Sequence, residues 1–351
     1  MHEPLVSVVM PVYNAGIFLS VALTSIIEQT FCGWEMICVN DGSTDGSGKL
    51  LDQFARQDAR IRVVHQANTG IVGALNHGCE LAQGPLICRM DSDDIAIPHR
   101  MERQLAFLRN APTCVAVGGS ILEIDTDGDP LCCSRLPNSH AEIESNLLHR
   151  RTGLYHPTAM LRTEALRAVG GYRKEYQWVE DHDLWLRLAQ RGQLANLDEV
   201  ILCYRQHSSS VCWQRCAQQR ELMNGLLAEA YANRGLDLPP QLLHTGGASR
   251  SAAGPGKWAR AAAKGGFPRS VAKHLRQLAQ APKTSWSYML RMTLESTLRL
   301  CAGYPRRLFN QEPTRIATFA LEFSYKGGTL RTTDRAGLGT AVPNKTRTYY
   351  Q

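Results

Sequence analysis

Residues 87–98 read ICRMDSDDIAIP and place Asp91, Asp93 and Asp94 within four positions, after a short apolar run and before Pro98. Like charges so close resist ionising together unless a cation sits among them. Carboxylate oxygens suit Mg2+ or Mn2+, ions that keep positions open for phosphate oxygens. Such an ion offsets the charge of a diphosphate leaving group. The plainer reading is a solvated acidic turn capping the helix after Pro98, a common use of aspartate. A second carboxylate, Asp41, closes another apolar run in VNDGSTD (39–45), where Gly42 allows a tight turn and Ser43, Thr44 and Asp45 can cap a helix. A carboxylate there can accept the ring N–H of a base. PVYN (11–14) ends a third apolar run with an aromatic ring and an amide, suited to stacking on a base and bonding its edge. In VEDHDLWLRL (179–188), Glu180 and Asp181 are adjacent. On a helix they point different ways, so one can face a site while the other caps the helix. Asp183 is expected to accept bonds at that helix start, where negative charge is favoured.

These residues need a scaffold, and the first 125 residues supply its pattern. Apolar, β-branched runs at 5–12, 34–41, 61–66 and 86–91 alternate with stretches of helical spacing, and a further strand falls in VAVGGSILEID. Continuous apolar strands alternating with helices predict a mostly parallel, Rossmann-like α/β sheet covered by helices on both faces. Ligands bind such sheets outside the carboxyl ends of the strands, where Asp41 and Asp91 fall. After residue 130 the alternation weakens, and a helix is expected from about Trp213 to Arg234. HTGGASRSAAGPGKW is rich in Gly, Ser and Ala and reads as a linker, set at 244–260. Helical spacing returns in 284–309, with Trp286, Met289, Leu290, Leu294 and Leu298 among Arg291, Arg299, Arg306 and Arg307. The tail 326–351 reads as disordered.

Composition bounds the class. With 44% hydrophobic and 20% charged residues in 351, the chain reads as an ordinary globular protein with a real core. There is no apolar run long enough for a membrane span. The start MHEPLVSVVMPVYN reads as a buried strand rather than a secretion signal. Eleven cysteines, none in a CxxC pair, read as reduced thiols, which makes a cytoplasmic location the expectation. Neither Cys132–Cys133 nor Cys212–Cys216 reads as a redox or metal pair. The net charge of +7 is unevenly spread: 21 Lys and Arg face 28 Asp and Glu up to residue 249, while 18 face 4 beyond it. A basic amphipathic stretch can lie on an anionic membrane surface, peripheral to its inner face, or pack on the domain with a solvated basic side. Nucleic acid is not the expected partner, because the basic stretch carries no recognised fold.

Taken in order, SVVMPVYNAGIFLSVALTSIIEQTF, EMICVNDGSTDGS, HQANTGIVGALNHGCELAQGPLICRMDSDD, YHPTAMLR, VGGY, VEDHDLWLRL and YRQHSSSV resemble the inverting family-two glycosyltransferases with the GT-A fold. The likeness spans about residues 4 to 215. It implies a GT-A domain over 1–215, with a nucleotide-sugar half to about 125 and an acceptor half from 126. A helical extension (216–243), the linker and a basic helical region (261–325) follow. It further implies that Pro11, Tyr13, Asn14, Asp41, Asn68 and Asn76 surround a nucleotide-diphospho-sugar, with Arg205 on the diphosphate. Asp91-Ser92-Asp93 is similar to the DxD motif, Asp91 on the sugar side and Asp93 on a divalent metal, assisted by His207. Asp181 becomes the catalytic base, with His156, Gly171 and Glu180 on the acceptor side. The family often carries Arg before the asparagine of GALNHG. Here Leu75 stands there, and Arg89 or Arg100 is the candidate substitute. The implied acceptor is a saccharide or lipid-linked hydroxyl. A nucleotidyltransferase or a non-catalytic sugar-nucleotide binder is the alternative. The former lacks its glycine-rich basic loop after the first strand, and the latter has no use for the acid pair at 180–181.

Overall fold

The computed structural model describes residues 3–207, 216–243, 254–281 and 286–301. One sheet runs through the molecule in the order β3-β2-β1-β4-β8-β6-β9-β5, with β7 paired to β6. Its first half is as the sequence predicts. β1 (Val6–Val12), β2 (Trp34–Asp41), β3 (Ile61–Gln66) and β4 (Leu86–Arg89) are parallel. β1 is buried along its whole length because strands flank both edges and helices cover both faces. Alternate residues feed two cores. Val9, Ile37 and Val39 pack with Val72 and Leu75 of α3 (Gly70–Leu81). Val8, Met10, Met36 and Cys38 pack with Leu19, Leu23 and Ile26 of α1 (Leu19–Ile27), Leu51 of α2 (Ser47–Gln57) and Met101 and Leu105 of α4 (Arg100–Asn110).

The second half departs from a parallel reading. β6 (Cys114–Ile124) and β9 (Gln193–Arg205) run parallel, but the β4–β8, β6–β8, β6–β7 and β5–β9 pairings are antiparallel. A five-residue turn, 125–129, joins β6 to β7 (Pro130–Ser134), and so short a connection can only return the chain antiparallel. β8 (Met160–Arg162) and β5 (Ile95–Ala96) are too short to carry a periodicity. Yet β5 pairing with Leu202 and Cys203 presses the acidic loop against the end of β9.

Three more helices, α5 (His140–Leu148), α6 (Thr163–Ala168) and α7 (Glu180–Leu188), complete the domain. α8 (Cys216–Ala232) contributes Leu226, Leu227 and Tyr231 to the core that holds Leu184, Trp185 and Leu186 of α7, so the expected extension shares the domain's core. The linker ends earlier than its composition suggests. α9 (Pro255–Gly265) begins inside the 244–260 range, with proline at its start and Ala259, Ala262 and Ala263 buried. α9 and α10 (Pro268–Gln280) form a small core with Leu131 of β7, and Gly265 lies so close that a Cβ there would stand 2.4 Å from the Leu131 carbonyl oxygen. α11 (Trp286–Cys301) follows. Residues 244–253, Cys212, Arg306, Arg307 and the tail 326–351 lie outside the described residues. No described helix is long and apolar enough to cross a membrane.

Candidate active site

The carboxyl ends of β1, β2, β3 and β4 share one edge, because their registers pair Val12 with Asn40, Asp41 with Gln66 and Val9 with Arg89. At the β1 end, Pro11 is buried inside the strand, so of the expected nucleotide turn only Tyr13 and Asn14 reach the surface. Tyr13 is 56% exposed, its ring open for stacking. Asn14 is left-handed (φ 48). Its Oδ1 accepts from the Thr44 N–H at 2.8 Å and its own N–H donates to Ser43 Oγ at 3.0 Å, so its amide oxygen ties two turns together rather than standing free for a base. Asp41 is buried and accepts from the N–H groups of Thr69 (2.8 Å) and Gly70 (2.9 Å) and from Gln66 Nε2 (2.8 Å), which clamps it to the start of α3. Asn68 accepts from Gly70 N–H at 3.2 Å in the same turn.

The acidic loop gathers as the spacing suggests. Asp91, Asp93 and Asp94 each place a carboxylate oxygen within 4.8 Å of the others. Asp94 is buried and its Oδ1 accepts from the Arg205 N–H at 2.8 Å, while its Oδ2 has no hydrogen-bond partner. Burial first, then Asp93 and Asp91, push the Asp94 carboxyl well above the usual carboxylate range. Asp91 is also pushed up, by burial above all, with Asp93 and Asp181 adding to it and Arg89 opposing. Arg89 lies 2.5 Å from Asp91 and is almost fully buried. Asp93 Oδ2 sits 2.8 Å from His207 Nε2. A buried carboxylate oxygen without a donor, in a cluster of hard oxygen ligands, fits a divalent cation. Asp91, Asp93 and Asp94 would hold it, with His207 against Asp93.

Facing this loop is the start of α7. Asp181 Oδ1 accepts from the His182 N–H at 2.7 Å, and its Oδ2 makes no hydrogen bond among the described residues. Glu180 Oε2 accepts from the Trp178 N–H at 2.6 Å. Burial and then Asp181 push the Glu180 carboxyl up to about 7. Asp181 of α7 therefore bears on Asp91 of the loop, and the Arg89 cation bears on both Asp91 and Glu180. Asp183 is corrected. It is fully buried and accepts from Arg173 and Arg187 rather than from the helix start. Arg187 also donates to the Val169 and Gly171 carbonyls at 2.7 and 2.8 Å, so α7 pins the loop before it.

Three expected contacts take other roles. Asn76 brackets Tyr172, donating to its carbonyl (2.8 Å) and accepting from its N–H (2.9 Å), so its amide holds the 169–177 loop. Gly171 (φ 71) passes so close that a Cβ would meet Asn76 Oδ1 at 2.8 Å. His156 is buried, 2.8 Å from the Tyr172 hydroxyl, and burial with the nearby Arg89 holds it well below the usual histidine range. It supports Tyr172 from behind. Arg205 gives its guanidinium to main-chain carbonyls of Asp93 (2.9 Å), Asp125 (3.2 Å) and Thr126 (3.0 Å), over the Phe18 ring, so it holds the acidic loop in place of a diphosphate. Arg100 is fully buried and bonds the Arg89 carbonyl, so only Arg89 remains near the site as a substitute cation. Phe18, whose ring lies 5.4 Å from that of His207, escaped notice because it reads as part of a helix's apolar spacing. Cys132 and Cys133 are free thiols, raised by burial to about 12 and 11.

Residues 7–170 match the family described as "Glycosyl transferase family 2". The chain is 33% identical over 241 residues to EpsE of Bacillus subtilis (strain 168), provisionally assigned as a glycosyltransferase, covering 67% of this chain and 84% of that one. It is 30% identical over 211 residues to the O-antigen biosynthesis glycosyltransferase WbnJ of Escherichia coli, covering 59% and 81%. The crystal structure of S. aureus TarS superposes with a TM-score of 0.51 at 16% identity, over 92% of this chain and 54% of TarS. That last likeness is one of fold, and the GT-A architecture implied by the motifs stands.

Proposed function

Because this chain belongs to glycosyl transferase family 2, we propose that it moves a hexose from a nucleotide-diphospho-sugar to an acceptor hydroxyl, inverting the anomeric carbon, in the synthesis of a surface polysaccharide or glycolipid. The names of its relatives support that acceptor class. The donor lies along the carboxyl edge of the sheet, its base against Tyr13 and the Asp41 turn. Asp91, Asp93 and Asp94, with His207 against Asp93, would hold a divalent cation, which when bound offsets negative charge on the leaving nucleoside diphosphate. Arg89 keeps Asp91 in place and adds fixed positive charge beneath the loop. Asp181 takes the acceptor proton on Oδ2 as the acceptor oxygen displaces the diphosphate from the opposite face. One displacement with one base inverts the configuration. The feature that supports this reading is the placing of Asp181, with an Oδ2 that makes no hydrogen bond among the described residues, where its charge bears on Asp91 of the acidic loop.

Asp181→Asn tests it: kcat should fall by about 10³-fold while donor affinity stays within about twofold. Transfer at the parental rate, or a product with retained configuration by NMR, overturns the assignment. Donor left without acceptor should release free sugar. Pyrophosphate released from a nucleoside triphosphate and a sugar 1-phosphate would instead mark a nucleotidyltransferase.

A second feature bears on the acceptor. Leu290 and Leu294 are 64% and 54% exposed one turn apart on α11, beside Arg291. Apolar side chains so placed, in a basic region, suit an anionic membrane surface and would carry the site to a lipid-linked acceptor.

A further inference from the structure

The turn between β6 and β7 is DTDGD, and it is held from two sides. Asp125 is buried, and its Oδ1 accepts from the N–H groups of Asp127 and Asp129, both at 2.9 Å. Its Oδ2 lies 2.6 Å from Lys273 Nζ and 3.0 Å from His274 Nε2, both on α10. Lys273 also meets Asp127 (2.7 Å) and Asp129. One ammonium thus stands where three carboxylates converge. His274 is fully buried with its ring 5.3 Å from that of Trp258 of α9, which fixes the direction of approach. On its opposite side the turn offers the Asp125 and Thr126 carbonyls to Arg205. The same arginine donates from Nε to the Asp93 carbonyl, and its N–H reaches Asp94. Its neighbour Gln206 donates its N–H to the Ile124 carbonyl at 2.8 Å.

We propose that Lys273 and Arg205 are positioning residues, and that docking of α10 on the β6–β7 turn sets the geometry of the acidic loop 91–94. The inference rests on reading that loop as the metal-holding site. The physical path is short. Arg205 can hold Asp93 and Asp94 in register only while the 125–126 carbonyls stay where they are. Those carbonyls belong to a turn with three carboxylates, which would spread apart by mutual repulsion without a cation among them. The tail's basic excess here closes a bridge within the chain. Groups behind a metal's ligands commonly change its affinity by about 10–100-fold.

Two experiments test the coupling. Lys273→Met should weaken Mn2+ binding, read by electron paramagnetic resonance of the free ion, by about tenfold. At saturating Mn2+ its kcat should lie within about twofold of the parent, and Lys273→Arg should restore the affinity. Mn2+ affinity unchanged in Lys273→Met overturns the proposal. The unaltered protein gives the reciprocal measurement, independent of how any variant folds. Mn2+ should slow amide hydrogen exchange at 91–94 and also at 124–130 and 268–280, because coupling between two sites acts in both directions. Protection at 91–94 alone overturns the coupling and leaves the metal reading intact. No protection at 91–94 removes the metal reading, and the coupling with it.

Discussion

Arg89 is the residue on which the site turns. It is buried at the end of β4, pairs with Asp91, and lies near enough to Glu180, Tyr172 and His156 to bear on the protonation of each. Its neighbour in charge, Glu180, has a consequence for stability. Glu180 is raised to about 7 in the folded protein against about 4.3 in an unfolded chain. The folded state therefore holds the extra proton between those values. The stabilising effect is complete below the unfolded value and is lost as pH rises through about 7. Going from about pH 5 to about pH 8, the parent should lose about 3 °C more of melting temperature than Glu180→Gln. Equal losses in the two proteins would place the proton elsewhere. At this scale the sequence singles out Asp41 and the acids of 91–94, which the structure sets at strand ends of one edge, and Asp181, whose charge bears on Asp91. It does not foresee that Asn76 meets Tyr172, Arg205 three main-chain carbonyls and Asp183 two arginines, since a polar side chain's type does not name its partner.

At the scale of elements, α3 and α7 hold the 169–177 loop between them. The loop is bracketed by Asn76 from α3 and by Arg187 from α7, and Arg173 joins it to Asp183 and, at 2.7 Å, to Glu229 of α8. Asn76→Ala leaves the Tyr172 N–H and carbonyl without partners. It should cost about 1–3 kcal/mol of unfolding free energy in urea and raise the KM for acceptor more than that for donor. A stability unchanged within about 0.5 kcal/mol would mean that the loop is held by its other contacts alone. β1 to β4 and their helices are legible in the chain because each carries a full period of apolar residues. β5 and β8 are not, because two or three residues show no pattern, and β7 (PLCCS) lacks the continuous β-branched apolar run that marks a buried strand.

For the molecule as a whole, the basic C-terminal helices are two things at once. α9 and α10 seat on β7, with Lys273 spending its charge inside the fold. Arg269 and Arg276 point outward on α10, and α11 exposes Leu290 and Leu294. The parent should therefore co-sediment with anionic vesicles at low salt, and the double variant Leu290→Ser/Leu294→Ser should retain less than about a third of that binding. Equal sedimentation of parent and variant, or none of the parent, would remove the membrane reading.

The residues alone determined which groups could do chemistry and that β1 to β4 would form a parallel sheet, because periodic burial and strand-end polarity are local properties of the chain. Only the tertiary structure decided which polar groups stay open. The same Arg, Asn or Asp is a ligand contact or a strut according to whether a carbonyl, a loop or a helix from a hundred residues away arrives to meet it.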